Sequence, residues 1–140
     1  MLTEMVEYIC EHTGLSPQDA RSALGIVLNA ADRQGAELSR EIFERVPGTR
    51  TLAAKMGAEV GASTGVIARL IEQTPGGRVA VIEQMTEALT SRGLGPAQVG
   101  GLFPAIQGFA ESEFGIRGFG HLGDALGSPA AHEAHQRTVA

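Results

Sequence analysis

Histidine, serine and cysteine are the side chains of this sequence whose spacing could support metal binding or catalysis. Residues 132–135 read His-Glu-Ala-His, which places two imidazoles three residues apart but lacks the spacing of the zinc-peptidase motif. His121 and Asp124 share one face if residues 119–126 form a helix, as a general base and its orienting carboxylate would. We expect a solvated tail for residues 132–135 and an exposed capping pair for His121 and Asp124, so the first predicts no metal site and the second no catalytic base.

Nucleophiles and phosphate loops give no stronger signal. Ser63 lies between Gly61 and Gly65, but the motif is not G-x-S-x-G and no strand precedes it. Residues 74–78, Thr-Pro-Gly-Gly-Arg, lack the lysine of a phosphate-binding loop. Cys10, the only cysteine, lies on the apolar side of a predicted helix and is expected to be a small buried hydrophobe. No acid, base and nucleophile converge by spacing, so an enzyme is the least favoured class and no cofactor is predicted.

The charge of the chain argues against two kinds of partner. Its net charge is −5, and its 11 basic residues form no cluster. Nucleic acids and anionic membrane surfaces both require concentrated positive charge, so neither is an expected partner. No apolar run approaches the ~20 residues that span a bilayer, and the first ten residues lack the basic start of a secretory signal. A single cysteine fits a reducing compartment, so we expect a cytoplasmic protein.

Helical spacing of apolar residues runs through nearly the whole chain. In residues 63–73, for example, Val66, Ile67, Leu70 and Ile71 fall on one face, with Ser63 or Thr64 as the expected N-cap. Ser39 is expected to cap a short helix that ends at Pro47-Gly48, and residues 74–77 are expected to form a turn. The predicted helices are 3–12, 16–33, 39–46, 49–60, 63–73, 78–91 and 96–112, with a last short helix at 119–126. The sequence therefore predicts an all-α fold.

Two similar corners indicate an internal duplication. Residues 14–17 read Gly-Leu-Ser-Pro and residues 93–96 read Gly-Leu-Gly-Pro, and apolar positions on both sides agree at the same offset. In each, the glycine ends one helix, the leucine fills the corner and the proline begins the next helix. Two such hairpins, joined by the helices of residues 39–73, are predicted to pair about a pseudo-twofold axis.

The same corners carry a family resemblance. Together with Val46-Pro47-Gly48 and the segment Phe103-Pro104-Ala105-Ile106, they resemble the uncharacterised bacterial VcgC/VcgE-type family over residues 5–126. These motifs are helix boundaries. The resemblance implies an α-helical bacterial protein and assigns no activity and no catalytic residue.

Two groups of residues are candidates for contact with a ligand or with another protein. Gly57, Gly61 and Gly65 are spaced at four residues, which marks either a break between two helices or a smooth groove for close helix contact. The second group is aromatic and apolar, and either closes the core or forms an interface or ligand surface. It contains Phe103, Ile106, Phe109, Phe114 and Phe119.

We therefore predict one compact helical domain over residues 1–127, built from about seven short helices, and a disordered tail over residues 128–140. The favoured function is a non-catalytic, self-associating protein-interaction module, in the form of a homodimer. A carrier of a small apolar ligand, bound between helices near Phe103, Ile106 and Phe109, is the first alternative. An enzyme with an unrecognised site is the second.

Overall fold

Seven helices and no strand occur within residues 1–116, the part of the chain that the computed structural model describes. The predicted all-α fold class is confirmed. The expected helix at 119–126 and the expected tail from residue 128 lie outside the described residues. The helices are α1 (Leu2–Thr13), α2 (Pro17–Arg33), α3 (Glu37–Arg45), α4 (Thr49–Glu59), α5 (Val66–Glu72), α6 (Pro75–Ser91) and α7 (Pro96–Phe114).

Two helices begin with the side-chain caps that their sequences favour. The Ser16 hydroxyl accepts a hydrogen bond from the backbone N–H of Asp19 at 3.2 Å, at the start of α2. The Thr74 hydroxyl accepts one from Gly77 N–H at 3.3 Å, and Pro75 occupies the first turn of α6. Helix α6 therefore begins at Pro75, and the predicted turn over residues 74–77 was wrong for residues 75–77: the connection between α5 and α6 consists of Gln73 and Thr74.

Two helix caps expected from the sequence were wrong. Ser39 lies inside α3, which begins at Glu37, and its buried hydroxyl donates to the carbonyl of Ala36 at 2.8 Å. The helix α5 begins only at Val66, and its N-cap is Gly65 with φ of 98°. A serine or threonine can cap a helix but can equally bond to the backbone within its first turn, and sequence alone does not separate the two.

The two corners share a left-handed glycine, a buried leucine and a proline that begins the next helix. Gly14 and Gly93 both adopt the left-handed conformation, with φ of 76° and 94°, and end α1 and α6. Leu15 and Leu94 are both buried, and a proline then begins α2 and α7. Helix α1 packs against α7, and α2 packs against α6. A twofold axis that relates the hairpin of α1 and α2 to the hairpin of α6 and α7 would exchange the α1–α7 contact with the α2–α6 contact. The duplication itself stays a prediction.

The core is arranged around α2, which carries ten buried residues and packs against α1, α3, α4, α6 and α7. One side of the helix stays in contact with water, where Arg21 is exposed and Asn29 and Asp32 are half-buried. The buried residues of α2 are Ala20, Ala23, Leu24, Gly25, Ile26, Val27, Leu28, Ala30, Ala31 and Arg33.

Small residues allow α2 and α4 to approach closely. A Cβ atom on Gly25 would lie 2.5 Å from Met56 Cγ and 3.1 Å from the Leu52 carbonyl oxygen. A Cβ on Gly57 would lie 2.7 Å from the amide carbon of Asn29. A side chain at position 25 would therefore collide with α4 itself, whereas one at position 57 would require the Asn29 side chain to move. Within residues 1–116, no helix is long and apolar enough to cross a membrane.

Replacement of Gly25 by alanine tests this close approach. The new methyl group must push α4 away, so Gly25→Ala should lower the free energy of unfolding by about 1–3 kcal/mol, as overpacked cores do. Gly100→Ala in α7 is the matched control, because a Cβ there meets nothing within 4 Å. It should raise stability by about 0.5–1 kcal/mol through helix propensity. Urea unfolding of both variants measures the difference, and equal effects would contradict the close contact.

Candidate functional site

An exposed aliphatic face on α5 is the most unusual surface feature of the described chain. Val66, Ile67, Leu70 and Ile71 are each between 60% and 75% exposed, and Val79 on the adjoining helix α6 is 54% exposed. The four α5 residues lie at helical positions i, i+1, i+4 and i+5, so they share one side of the helix. We call these five side chains the α5 face. The sequence predicted that these four residues share one face of a helix, and in the structure this face is exposed to solvent.

Residue Glu72 is the buried residue of α5, and it lies roughly opposite the aliphatic side chains on the helix. Its carboxylate accepts two hydrogen bonds from the Arg33 guanidinium of α2, from Nε at 2.8 Å and from Nη2 at 3.2 Å. Both residues are only 7% exposed. The helix therefore turns a charged group towards the bundle and its apolar groups away from it, which reverses the usual arrangement.

Further hydrogen bonds complete this buried pair. The third nitrogen of Arg33, Nη1, donates to Gln84 Oε1 of α6 at 2.9 Å, and Gln84 Nε2 donates to the Val60 carbonyl at 3.1 Å. The side chain of Gln34 donates to the Glu72 carbonyl oxygen at 3.0 Å. No buried side-chain nitrogen or oxygen within residues 1–116 lacks a hydrogen-bond partner. A fully satisfied network of this kind holds its members in one geometry.

Two more contacts fix α5 on the bundle. Arg69 Nη1 donates to Asp32 Oδ2 at 3.0 Å in an exposed ion pair. Gly77 in the first turn of α6 packs on the backbone of α5, so that a Cβ there would collide with the Ile71 carbonyl and lie 2.6 Å from Glu72 Cα. The end of α5 is thus held by polar groups and by backbone contact with α6.

The aromatic residues singled out in the sequence lie mostly in the core. Phe103, Ile106 and Phe109 are buried on α7, whereas Phe114 is half-buried with its ring edge-on to Phe109 at 6.2 Å between centroids. The expected contact residue Phe119 lies outside the described residues. An interface between copies needs exposed area, so it must use side chains other than the three buried ones.

The glycines at four-residue spacing do not form one groove. Gly57 lies within α4 and packs against Asn29 of α2 in the same chain. Gly61 and Gly65 have φ of 74° and 98° and lie in the connection between α4 and α5. The structure therefore has the helix break that the sequence left as one of two alternatives, and Gly65 directly precedes the α5 face.

A shallow cleft beside α6 is the other surface candidate. It has a volume of about 330 Å³ and is lined by Glu59, Val60, Gln84, Glu87, Ala88, Ser91 and Arg92. Arg92 Nη2 donates to Glu59 Oε2 at 2.9 Å, so the cation of the cleft already has a carboxylate partner. No group of three or more His, Cys, Asp or Glu side chains among residues 1–116 is placed to hold a metal ion.

The thiol of Cys10 is half-buried against the core. Burial raises the pKa of this thiol, and the nearby carboxylates of Glu7 and Glu11 raise it further, against an opposing backbone hydrogen bond. A raised thiol pKa favours the protonated form at neutral pH, and the protonated thiol is not the nucleophile. Cys10 thus has the character of a packing residue.

Comparison of the chain with models of protein families, with curated protein sequences and with solved structures gives no match. The resemblance to the VcgC/VcgE-type family stays a prediction.

Substitution of Gly77 tests how α5 is seated on the bundle. Gly77→Ala places a methyl group against the backbone of α5, so the free energy of unfolding should fall by about 1–3 kcal/mol. The neighbouring Gly76→Ala is the matched control, since a Cβ there meets nothing within 4 Å, and it should change stability by no more than about 1 kcal/mol. Urea unfolding compares the two, and a harmless Gly77→Ala would refute the contact between α6 and α5.

Alkylation by iodoacetamide tests the raised pKa of Cys10. Since only the thiolate reacts, the folded chain should react more slowly at pH 7.5 than the same chain unfolded in urea. The reaction should accelerate as pH rises, with a midpoint above that of the unfolded chain. Equal rates and equal midpoints would show that neither burial nor the two glutamates affects the thiol.

Proposed function

We propose that this chain is a non-catalytic interaction module that self-associates, and that the α5 face is the surface through which two copies meet. The observation that carries the proposal is the outward direction of Val66, Ile67, Leu70 and Ile71 on a helix whose buried residue is a glutamate. Single exposed apolar residues are ordinary, but several on one helix face mark a contact surface.

The size of the α5 face supports a reversible dimer. The four aliphatic side chains of α5, each at least 60% exposed, make a patch on the order of 500 Å², near the upper end for the largest patch of an ordinary monomer. A standard interface buries about 800 Å² on each partner, and weaker ones bury less. The α5 face fits the lower part of that range.

The charge distribution favours a second copy as the occupant. Around a twofold axis each residue near the axis meets its own copy, so a charge there would face a like charge. The aliphatic positions of α5 carry no charge, and the one arginine of the helix, Arg69, is paired with Asp32 of the same chain. The net charge of −5 repels two copies only weakly at physiological salt, where charges more than about 8 Å apart are screened.

The finer predictions from the sequence belong to this proposal. The assembly would be a homodimer in the cytoplasm, a compartment that fits the single, unpaired thiol of Cys10. The VcgC/VcgE-type resemblance adds a bacterial origin and the repeated corner adds an ancestral duplication. Neither the family resemblance nor the repeated corner points to a partner other than a second copy of the chain.

A charge on the α5 face tests the proposal directly. We expect sedimentation velocity to show wild-type chain shifting from monomer to dimer as its concentration rises. Leu70→Glu should weaken this association by at least about tenfold, or ~1.4 kcal/mol, because the carboxylate would be buried against its own copy.

The matched control is Thr51→Glu, which adds the same charge at an exposed position on α4. It should associate as the wild type does. A wild-type chain that remains monomeric at millimolar concentration would contradict the proposal, and so would equal dissociation constants for the two variants.

A further inference from the structure

The orientation of α5 requires an explanation in its own right. Rotation of this helix by half a turn would move Val66, Ile67, Leu70 and Ile71 towards the bundle and remove apolar surface from water. The isolated monomer would gain hydrophobic free energy from such a rotation. Some interaction must therefore hold the helix in the outward orientation.

Within residues 1–116, Glu72 is the one side chain of α5 that is buried and bonded in the interior of the bundle. Its two oxygens accept from Arg33 Nε and Nη2, while Arg33 Nη1 donates to Gln84 and leaves no guanidinium nitrogen unpaired. Rotation of α5 would withdraw the carboxylate and leave the Arg33 cation buried without its counter-ion, which is strongly unfavourable. The other ion pair of the helix, between Arg69 and Asp32, is exposed and contributes little.

We infer that Arg33 and Glu72 are positioning residues for the α5 face: their buried ion pair selects the orientation of α5 that presents its aliphatic side chains to a partner. This inference rests on the self-association proposed above. A buried ion pair commonly adds little stability over an apolar pair of similar size. What this one contributes is the choice between two packings of the same short helix.

The inference distinguishes Arg33 and Glu72 from residues that merely stabilise the fold. If the pair were only structural, its replacement by apolar side chains would leave α5 as it is or unfold the chain. If the pair sets the orientation, the same replacement leaves a folded chain whose aliphatic side chains have turned inward. The two cases differ in the exposure of a single α5 position.

A reporter cysteine measures that exposure. In the full-length chain with Cys10→Ser, the substitution Ile67→Cys places the only thiol on the α5 face, at a position where isoleucine is 75% exposed. With the pair intact, we expect this thiol to react with a maleimide as fast as in the urea-unfolded chain. In the added background Arg33→Met/Glu72→Leu, the rate should fall at least about tenfold while the helical circular dichroism is retained.

The matched control removes an exposed ion pair by Glu59→Gln/Arg92→Gln, and its reaction rate should equal that of the reporter chain alone. An unchanged rate in a folded Arg33→Met/Glu72→Leu chain would overturn the inference. If that chain does not fold, Arg33→Lys takes its place: lysine keeps the charge but loses the two-point contact. Arg33→Lys should measurably slow the reaction of the Ile67→Cys thiol with maleimide. A folded Arg33→Lys chain whose thiol reacts at an unchanged rate would likewise overturn the inference.

The reporter experiment is run at micromolar concentration, so its result does not depend on dimer formation. If the wild-type chain is monomeric at every concentration but the reporter slows when the pair is removed, the proposed self-association fails and the orienting role of the pair stands. If the wild type dimerises and the reporter rate is unaffected, only the orienting role fails.

Discussion

The bidentate ion pair between Arg33 and Glu72 is the constraint on which the proposed contact surface, the α5 face, depends. It joins the last turn of α2 to the last residue of α5. Gln84 accepts from the remaining guanidinium nitrogen of Arg33, and Gln34 donates to the backbone carbonyl of Glu72. In the interior the ion pair tolerates neither water nor the loss of one partner. A seven-residue helix attached in this way cannot turn its aliphatic residues towards the core, so it keeps them on the surface.

The ion pair can act only because α2 is held in the middle of the bundle. Gly25 lets Leu52 and Met56 of α4 lie directly against α2, and Gly57 makes room for Asn29 on the other side of the same contact. The close approach of the two helices at Gly25 fixes α2, which ends at Arg33, relative to α4. The high glycine content of the chain thus serves packing between helices as well as turns.

Much of the fold could be predicted from the sequence, because caps and apolar spacing are local signals. Ser16 and the two Gly-Leu corners determine helix ends by interactions within a few residues, and the structure has helices where they indicate. Ser39 and residues 75–77 were misread, because the same residue types serve as caps, as inner hydrogen-bond donors and as turns. Local preference is ambiguous there, and packing decides.

The candidate site could not be predicted to the same extent. Spacing identified Val66, Ile67, Leu70 and Ile71 as one face of a helix, but periodicity does not state which way that face points. The direction depends on Glu72 meeting Arg33, 39 residues earlier in the chain. One signal was present in the sequence. Ile26, Ala30 and Arg33 follow one another at helical spacing on the same side of α2, which predicts that Arg33 is buried with the two apolar residues. A buried arginine needs a carboxylate partner. The aromatic cluster was more conspicuous, yet Phe103, Ile106 and Phe109 serve the core.

The most direct test of this account is the solvent exposure of the α5 methyl groups at different protein concentrations, measured by NMR with a soluble paramagnetic relaxation agent. The account predicts strong broadening of the methyl signals of Ile67, Leu70 and Ile71 in dilute solution, and protection of the same signals as the concentration rises and copies pair. Methyl groups protected at every dilution would mean that the face points inward, and methyl groups equally broadened at every concentration would mean that no second copy covers it. Either result would contradict the account.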